Sequence, residues 1–201
     1  MKKIAIVLFD DVEVLDFAGP FEVFSVTGKR KAGQPYEVVT VAEKDTITAR
    51  NQLVVKPLYT FADMPAPDIL LIPGGGGYHA DGRPFGSRKE MDNPVMIQWV
   101  QLQAKHTELI LSVCTGALIL AKAGLLENLE ATTHFMALDT LKLLAPNTRV
   151  VSDKRYVDNG KIILSAGVSA GMDMAFYVVS KLQSPEVARE TAQYMQYDYW
   201  K

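Results

Sequence analysis

Cysteine is almost absent from this 201-residue chain, in which Cys114 stands alone. A single cysteine cannot close an internal disulfide, so oxidation contributes nothing to the fold. An excess of charge of one sign is also missing. Lys plus Arg total 21 against 23 for Asp plus Glu, a formal net charge of -2. Nucleic-acid-binding domains ordinarily carry a basic face and a high pI, so nucleic acid is not the expected partner. The densest basic cluster, Lys29-Arg30-Lys31, reads as a solvated loop. No apolar stretch approaches the ~20 residues that a bilayer crossing needs. The N-terminal apolar run, residues 4–9, is too short for a secretory signal core and no cleavage site follows it. The three histidines are scattered and, with one cysteine, offer no metal-ligand spacing. No repeat, low-complexity tract or linker interrupts the chain. These absences leave a soluble cytoplasmic globule as the expectation. It has one domain over residues 1–201, no membrane partner, and neither a metal nor an organic cofactor.

What is present suits a full core, with 48% hydrophobic and 22% charged residues. Residues 4–9, 69–72 and 109–113 are short, continuous apolar runs. Such runs, apolar without alternation, predict strands covered on both faces, as in a parallel sheet. Helical patterns fall between them. The spacing predicts helices over 17–26, with Pro20 in a first turn, and over 93–105, capped by Asn93 before Pro94. Others are predicted over 115–123, 170–182 and 185–197. Residues 36–41 and 46–58 read as strands with a turn between. Asp158-Asn159-Gly160 is a hairpin signal between Tyr156-Val157 and Ile162-Ile163. The order is that of an α/β fold with a mainly parallel sheet and an antiparallel accessory.

Four places can carry chemistry. The apolar strand Leu109-Ile110-Leu111-Ser112-Val113 ends at Cys114, and a helix of small residues starts at once. A nucleophile on such a strand-to-helix turn projects into the crevice at the carboxyl edge of the sheet. The free N–H groups of the helix start favour the thiolate. A buried structural cysteine is the alternative. Ile72-Pro73 leads into Gly74-Gly75-Gly76-Gly77, where closely approaching N–H groups can form an oxyanion hole. The run lacks the endings of a phosphate loop, and a plain turn is its alternative. Asp16, between Leu15 and Phe17, is either the N-cap of the first helix or a shielded general acid. His134, in Ala131-Thr132-Thr133-His134, is either structural or a base or hydrogen-bond donor near the site. Residues 78–88 are expected to contribute walls of the pocket.

Together these segments resemble the ThiJ/PfpI superfamily, the class I glutamine-amidotransferase-like fold. Five segments in order carry the resemblance. They are Leu15 to Pro20; Phe61-Ala62-Asp63 through Ile72-Pro73-Gly74-Gly75; and Ser112-Val113-Cys114-Thr115-Gly116. After them come Ala123-Gly124-Leu125-Leu126 with Ala131-Thr132-Thr133-His134, and then Ser165-Ala166-Gly167-Val168-Ser169-Ala170-Gly171-Met172-Asp173. The resemblance implies a flavodoxin-like, mainly parallel sheet with helices on both faces and an antiparallel hairpin accessory. Protease-like members have His directly after the cysteine; here Thr115 stands there, which disfavours a peptidase. Cys-Thr-Gly is similar to the isocyanide (isonitrile) hydratase branch and to the sensor domains of AraC-type regulators. The latter carry a helix-turn-helix region for which no room is expected before Lys201. By resemblance Cys114 is the nucleophile and Asp16 its acid partner. Thr115 supplies an N–H and a hydroxyl beside the reacting centre, and Gly75 a second N–H, with Gly76 and His134 at the same edge. The implied activity is hydration of an isocyanide to an N-substituted formamide through a thioimidate, in a homodimer and without cofactor. The alternatives are a redox or ligand sensor or stress-response protein, and a glyoxalase, deglycase or amidase activity. The aldehyde-processing members usually carry a glutamate acid and often His after the cysteine; Asp16 and Thr115 depart from both.

Overall fold

In the computed structural model, which describes residues 1–29 and 32–198, the three apolar runs become neighbouring strands of one sheet. Arg30 and Lys31 of the basic cluster lie outside the described residues. The chain runs through β1 (Lys3–Leu8), α1 (Val14–Val26), β2 (Glu37–Ala42), β3 (Ile47–Thr48), β4 (Val54–Val55), β5 (Tyr59–Thr60) and β6 (Ile69–Ile72). It continues through β7 (Gly76–Tyr78), β8 (Pro84–Gly86), α2 (Ser87–Glu90), α3 (Pro94–Ala104), β9 (Leu109–Ser112) and α4 (Gly116–Lys122). The last elements are β10 (Glu130–Ala131), α5 (Leu138–Leu144), β11 (Arg149–Val150), β12 (Tyr156–Asp158), β13 (Ile162–Ser165), α6 (Ala170–Leu182) and α7 (Pro185–Tyr194).

The seven-stranded sheet has the order β12-β13-β9-β6-β1-β2-β5. All its pairings are parallel except β12 with β13. Every residue of β6, β9 and β13 is buried. Successive side chains of a strand point to opposite faces, so this pattern requires cover on both. Two groups of helices provide it: α1 with α6 and α7, and α4 with α3 and α5. Phe24 and Phe176 are the largest fully buried side chains. Among the described residues, no helix is long and apolar enough to cross a membrane.

The Asn159-Gly160 hairpin forms as expected, with Gly160 at φ +82° and Val157 opposite Leu164. Residues 46–58 do not join the main sheet as one strand. β3 and β4 make a separate antiparallel ribbon, and β5 alone continues the sheet beside β2. A further ribbon, β7 with β8, occupies the stretch expected to be pocket wall. α1 begins at Val14, three residues before the expected 17, because Val14 also packs against the core. Asp16 is therefore not the cap: Glu13 holds that position, without a side-chain bond to the helix. Pro20 lies inside the helix rather than in its first turn. α7 ends at Tyr194 rather than 197.

The chain leaves β1 for β2 on one side and later returns to β6 on the other, so β1 and β6 flank a topological switch point. Crevices at such points, outside the carboxyl ends of the strands, are where ligands bind in open α/β sheets. The segments after β1, β6 and β9 converge there. Their close approach depends on Gly116, where a Cβ would sit 2.1 Å from Ile72 O. Since that contact is with backbone, Gly116→Ala is expected to destabilise the protein by about 3 kcal/mol or more, the upper range for overpacking. Urea unfolding of the variant checks this, and a loss under about 1 kcal/mol would contradict it.

Candidate active site

Cys114 sits between the end of β9 and the start of α4, with Thr115 as N-cap. Its φ of +55° is in the left-handed region, a strained conformation for a residue with a side chain. The surroundings hold it there. Cys114 N–H donates to Ala166 O at 3.0 Å, and Thr133 Oγ1 donates to Cys114 O at 2.7 Å. The preceding Val113 N–H donates to Ile72 O at 3.0 Å. The sharp turn leaves the residue 5% exposed.

Asp16, in the first turn of α1, is fully buried. Its Oδ2 accepts from Gly74 N–H at 3.0 Å, while Oδ1 is buried without an N–H or O–H partner. The Cys114 thiol is the other hydrogen-bonding neighbour of this carboxyl. Gly74 permits the convergence: a Cβ there would lie 2.4 Å from Thr115 N, 2.6 Å from Thr115 Oγ1 and 3.0 Å from Asp16 Oδ2.

Burial dominates the electrostatics of the pair. It pushes the Asp16 carboxyl up to about 7, against the lowering effects of Gly74 N–H and the thiol; the charge of Glu13 adds to the rise. Burial and then the charge of Asp16 push the Cys114 thiol up to about 12, although Thr115 N–H, Val168 N–H and the Thr115 hydroxyl pull it back. This corrects the expectation that the helix start favours a thiolate. A few N–H groups at the mouth of a seven-residue helix do not outweigh desolvation next to a carboxylate. Burial raises both groups and the Asp16 charge raises the thiol further, so the two titrate as a coupled unit that holds one proton above about pH 7.

The glycine run plays a different part from the one expected. Gly75 N–H donates to Thr115 Oγ1 at 3.0 Å, so it orients the threonine rather than pointing freely at the thiol. Gly76 lies in β7 opposite Gly86, and a Cβ there would meet Phe85 O at 2.1 Å. The positive φ values of Gly75 and Gly76, +114° and +90°, serve this packing. The N–H groups that act on the sulfur come from Thr115 and from Val168, whose φ is +44°. Ser87, fully buried, donates from Oγ to Gly75 O at 2.7 Å and pairs with Thr115 Oγ1 at 2.7 Å.

His134 lies at the same edge, with its ring against Gly167, where a Cβ would fall 2.4 Å from Cδ2. Its Nδ1 accepts from Met136 N–H at 3.3 Å, which leaves Nε2 as the N–H of the neutral ring. Burial, followed by the charge of Arg88, holds its pKa below the ordinary histidine value, against the opposite pull of Glu13. Among the described residues, no group of three or more His, Cys, Asp or Glu is placed to hold a metal ion.

The structure thus brings Cys114, Asp16, Thr115, Gly75 and His134 together at one sheet edge and puts Gly76 into a ribbon. Sequence reasoning did not single out Thr133, Ala166, Val168, Ser87 or Arg88 individually. Thr133 and Val168 fall inside segments singled out for other residues. Ser87 and Arg88 end the stretch 78–88 expected as pocket wall, but nothing local marks either one within it.

Known proteins resemble this arrangement over most of its length. The family model described as the DJ-1/PfpI family matches residues 2–181. The isonitrile hydratase of Pseudomonas putida is 32% identical over 196 residues, covering 96% of this chain and 76% of the relative. The Parkinson disease protein 7 homolog of Danio rerio is 24% identical over 192 residues, 94% of each. A solved ThiJ/PfpI family protein from Pseudomonas syringae superposes with a TM-score of 0.84 at 27% identity, covering 98% of this chain and 75% of that one.

Proposed function

The chain belongs to the DJ-1/PfpI family, and from that premise we propose that it is a cysteine-dependent small-molecule enzyme that hydrates isocyanides to N-substituted formamides. The observation that carries this reading is the buried Asp16 carboxyl in hydrogen-bonding contact with the buried Cys114 thiol. Support also comes from the likeness to isonitrile hydratase over 96% of the chain.

An isocyanide needs a nucleophile and a proton at the same carbon. Moving the shared proton from sulfur to the Asp16 carboxyl gives a thiolate beside a neutral acid without adding buried charge. The sulfur attacks the terminal carbon, and Asp16 delivers its proton to that carbon, giving a thioimidate. Asp16, now ionised, takes a proton from water as the hydroxyl adds to the carbon. Collapse of the adduct moves the hydroxyl proton to nitrogen, expels the sulfur and releases the formamide. The pair regains its single proton, so the cycle balances as isocyanide plus water. In this reading Thr115 and Val168 N–H groups steady the charge on sulfur, and Gly75 and Ser87 fix the Thr115 hydroxyl. His134 offers its Nε2–H to the substrate. We further propose a homodimer. Phe135 and Met136, 75% and 76% exposed beside His134, form an apolar patch next to the site for a second copy to cover.

The test is a steady-state assay with an aryl isocyanide and chromatographic detection of the formamide. Saturable formamide production that matches the isocyanide consumed is expected. No formamide above the buffer background would overturn the reading.

A further inference from the structure

The proposed reaction leaves Arg88 unused. This residue is half-buried in α2. Its Nη1 donates to Ser87 Oγ at 3.3 Å, while its Nε is buried with no hydrogen-bond partner. Among the described residues no carboxylate pairs with it. Glu13, the half-buried acid at this edge, is paired with Arg50 at 3.8 Å. The Arg88 charge acts on Cys114 and His134 at the site, and on Tyr78. A buried guanidinium N–H with no acceptor is costly, and the planar donors of the group match a carboxylate.

We propose that the site takes substrates bearing an anionic group, specifically a carboxylate, which Arg88 holds beside Cys114. This rests on Cys114 as the nucleophile, not on isocyanide chemistry. For an isocyanide it names the class: one that carries a carboxylate close to the reacting carbon. A singly charged group suits the site better than a phosphate dianion, because Asp16 and Glu13 are also at this edge and only Glu13 has a counter-ion.

Alkylation of Cys114 tests the proposal without requiring turnover. In the reaction an Sγ–C bond forms, iodide leaves with its electron pair, and the thiol proton passes to the Asp16 carboxylate. Iodoacetate and iodoacetamide differ in charge while sharing this chemistry, and Cys114 is the only thiol in the chain. With rates followed by mass spectrometry, iodoacetate is expected to label the parent roughly tenfold faster than iodoacetamide, the scale of one hydrogen bond to a charged group. Arg88→Gln should bring the ratio to about one or below, and Arg88→Lys should retain part of the preference. Unfolding would also bring the ratio to about one, so circular dichroism must show Arg88→Gln folded, and the preference kept by Arg88→Lys separates a lost charge from a lost fold. Equal rates in the parent, or a ratio that survives Arg88→Gln, would overturn the proposal. In a parallel arm, isocyanoacetate should exceed its ethyl ester in kcat/KM, and Arg88→Gln should remove that difference. Formamide from neither compound would refute isocyanide hydration and leave the labelling ratio to decide the role of Arg88.

Discussion

Cys114→Ala is expected to lower formamide production by at least about 10⁴-fold, the scale at which a covalent nucleophile is lost. The size of the effect follows from the site. Without the sulfur, the isocyanide carbon has no nucleophile except water, and the crevice holds no second thiol to replace it. The small alanine side chain fits where the thiol was, so the fold should survive, which makes the comparison clean. The Ala166 and Thr133 bonds to residue 114 are made by its backbone and remain available. Circular dichroism and the unfolding midpoint check that condition. A folded Cys114→Ala protein that hydrates an isocyanide within tenfold of the parent would sink the covalent mechanism.

Asp16→Asn is expected to move activity and stability in opposite directions. Activity should fall by about 10²–10⁴-fold, the range for loss of a general acid. The pH profile carries the sharper readout. The competent pair holds one proton, so kcat/KM of the parent should rise as pH increases through about 7, where the fully protonated pair loses its first proton. The variant should lack that limb.

Stability changes for the same reason. The Asp16 carboxyl ionises near 3.8 when unfolded and at about 7 when folded. A raised folded value in an acid means that the unfolded state releases its proton first as pH rises. The parent therefore loses stability between about pH 4 and 7, up to roughly 4 kcal/mol at 1.36 kcal/mol per pH unit. Asparagine never ionises, but its buried amide N–H inherits the unpartnered place of Oδ1 and costs about 1–3 kcal/mol. Asp16→Asn should thus gain about 1–3 kcal/mol over the parent at pH 8 and nothing, or a loss, at pH 4. Urea unfolding at the two pH values measures the difference. A variant less stable than the parent at pH 8 would show that the carboxylate is not strained by its burial.

Much of this molecule is legible along the chain. Residues 69–72 and 109–112 could be read as central strands because a strand buried on both faces must be apolar at consecutive positions. The Asn159-Gly160 turn announced its hairpin because glycine alone accepts that φ freely. The start of α1 was less legible. Pro20 suggested a first turn, but packing of Val14 and α6 carried the helix through it. Local preference is weak against tertiary contact. The β7–β8 ribbon escaped notice for a similar reason, since three-residue strands containing glycine and proline resemble loops.

By itself the sequence determined the α/β order, the placing of Cys114 at a strand end and Asp16 near the first helix, and the glycines that let the two meet. These are properties of residue type and spacing along one segment. Only the tertiary structure decided the protonation of the pair, since desolvation depends on what other segments lay over it. The helix start alone predicted a thiolate; burial beside Asp16 reversed that. Tertiary structure also decided which N–H groups reach the sulfur. Gly75 N–H is taken by Thr115, and Val168, more than fifty residues after Cys114, stands in its place. Arg88 likewise gained its meaning only when Glu13 was seen to be paired elsewhere. Charge, hydrogen bonding and burial act through space, and the neighbours that set them come from distant parts of the chain.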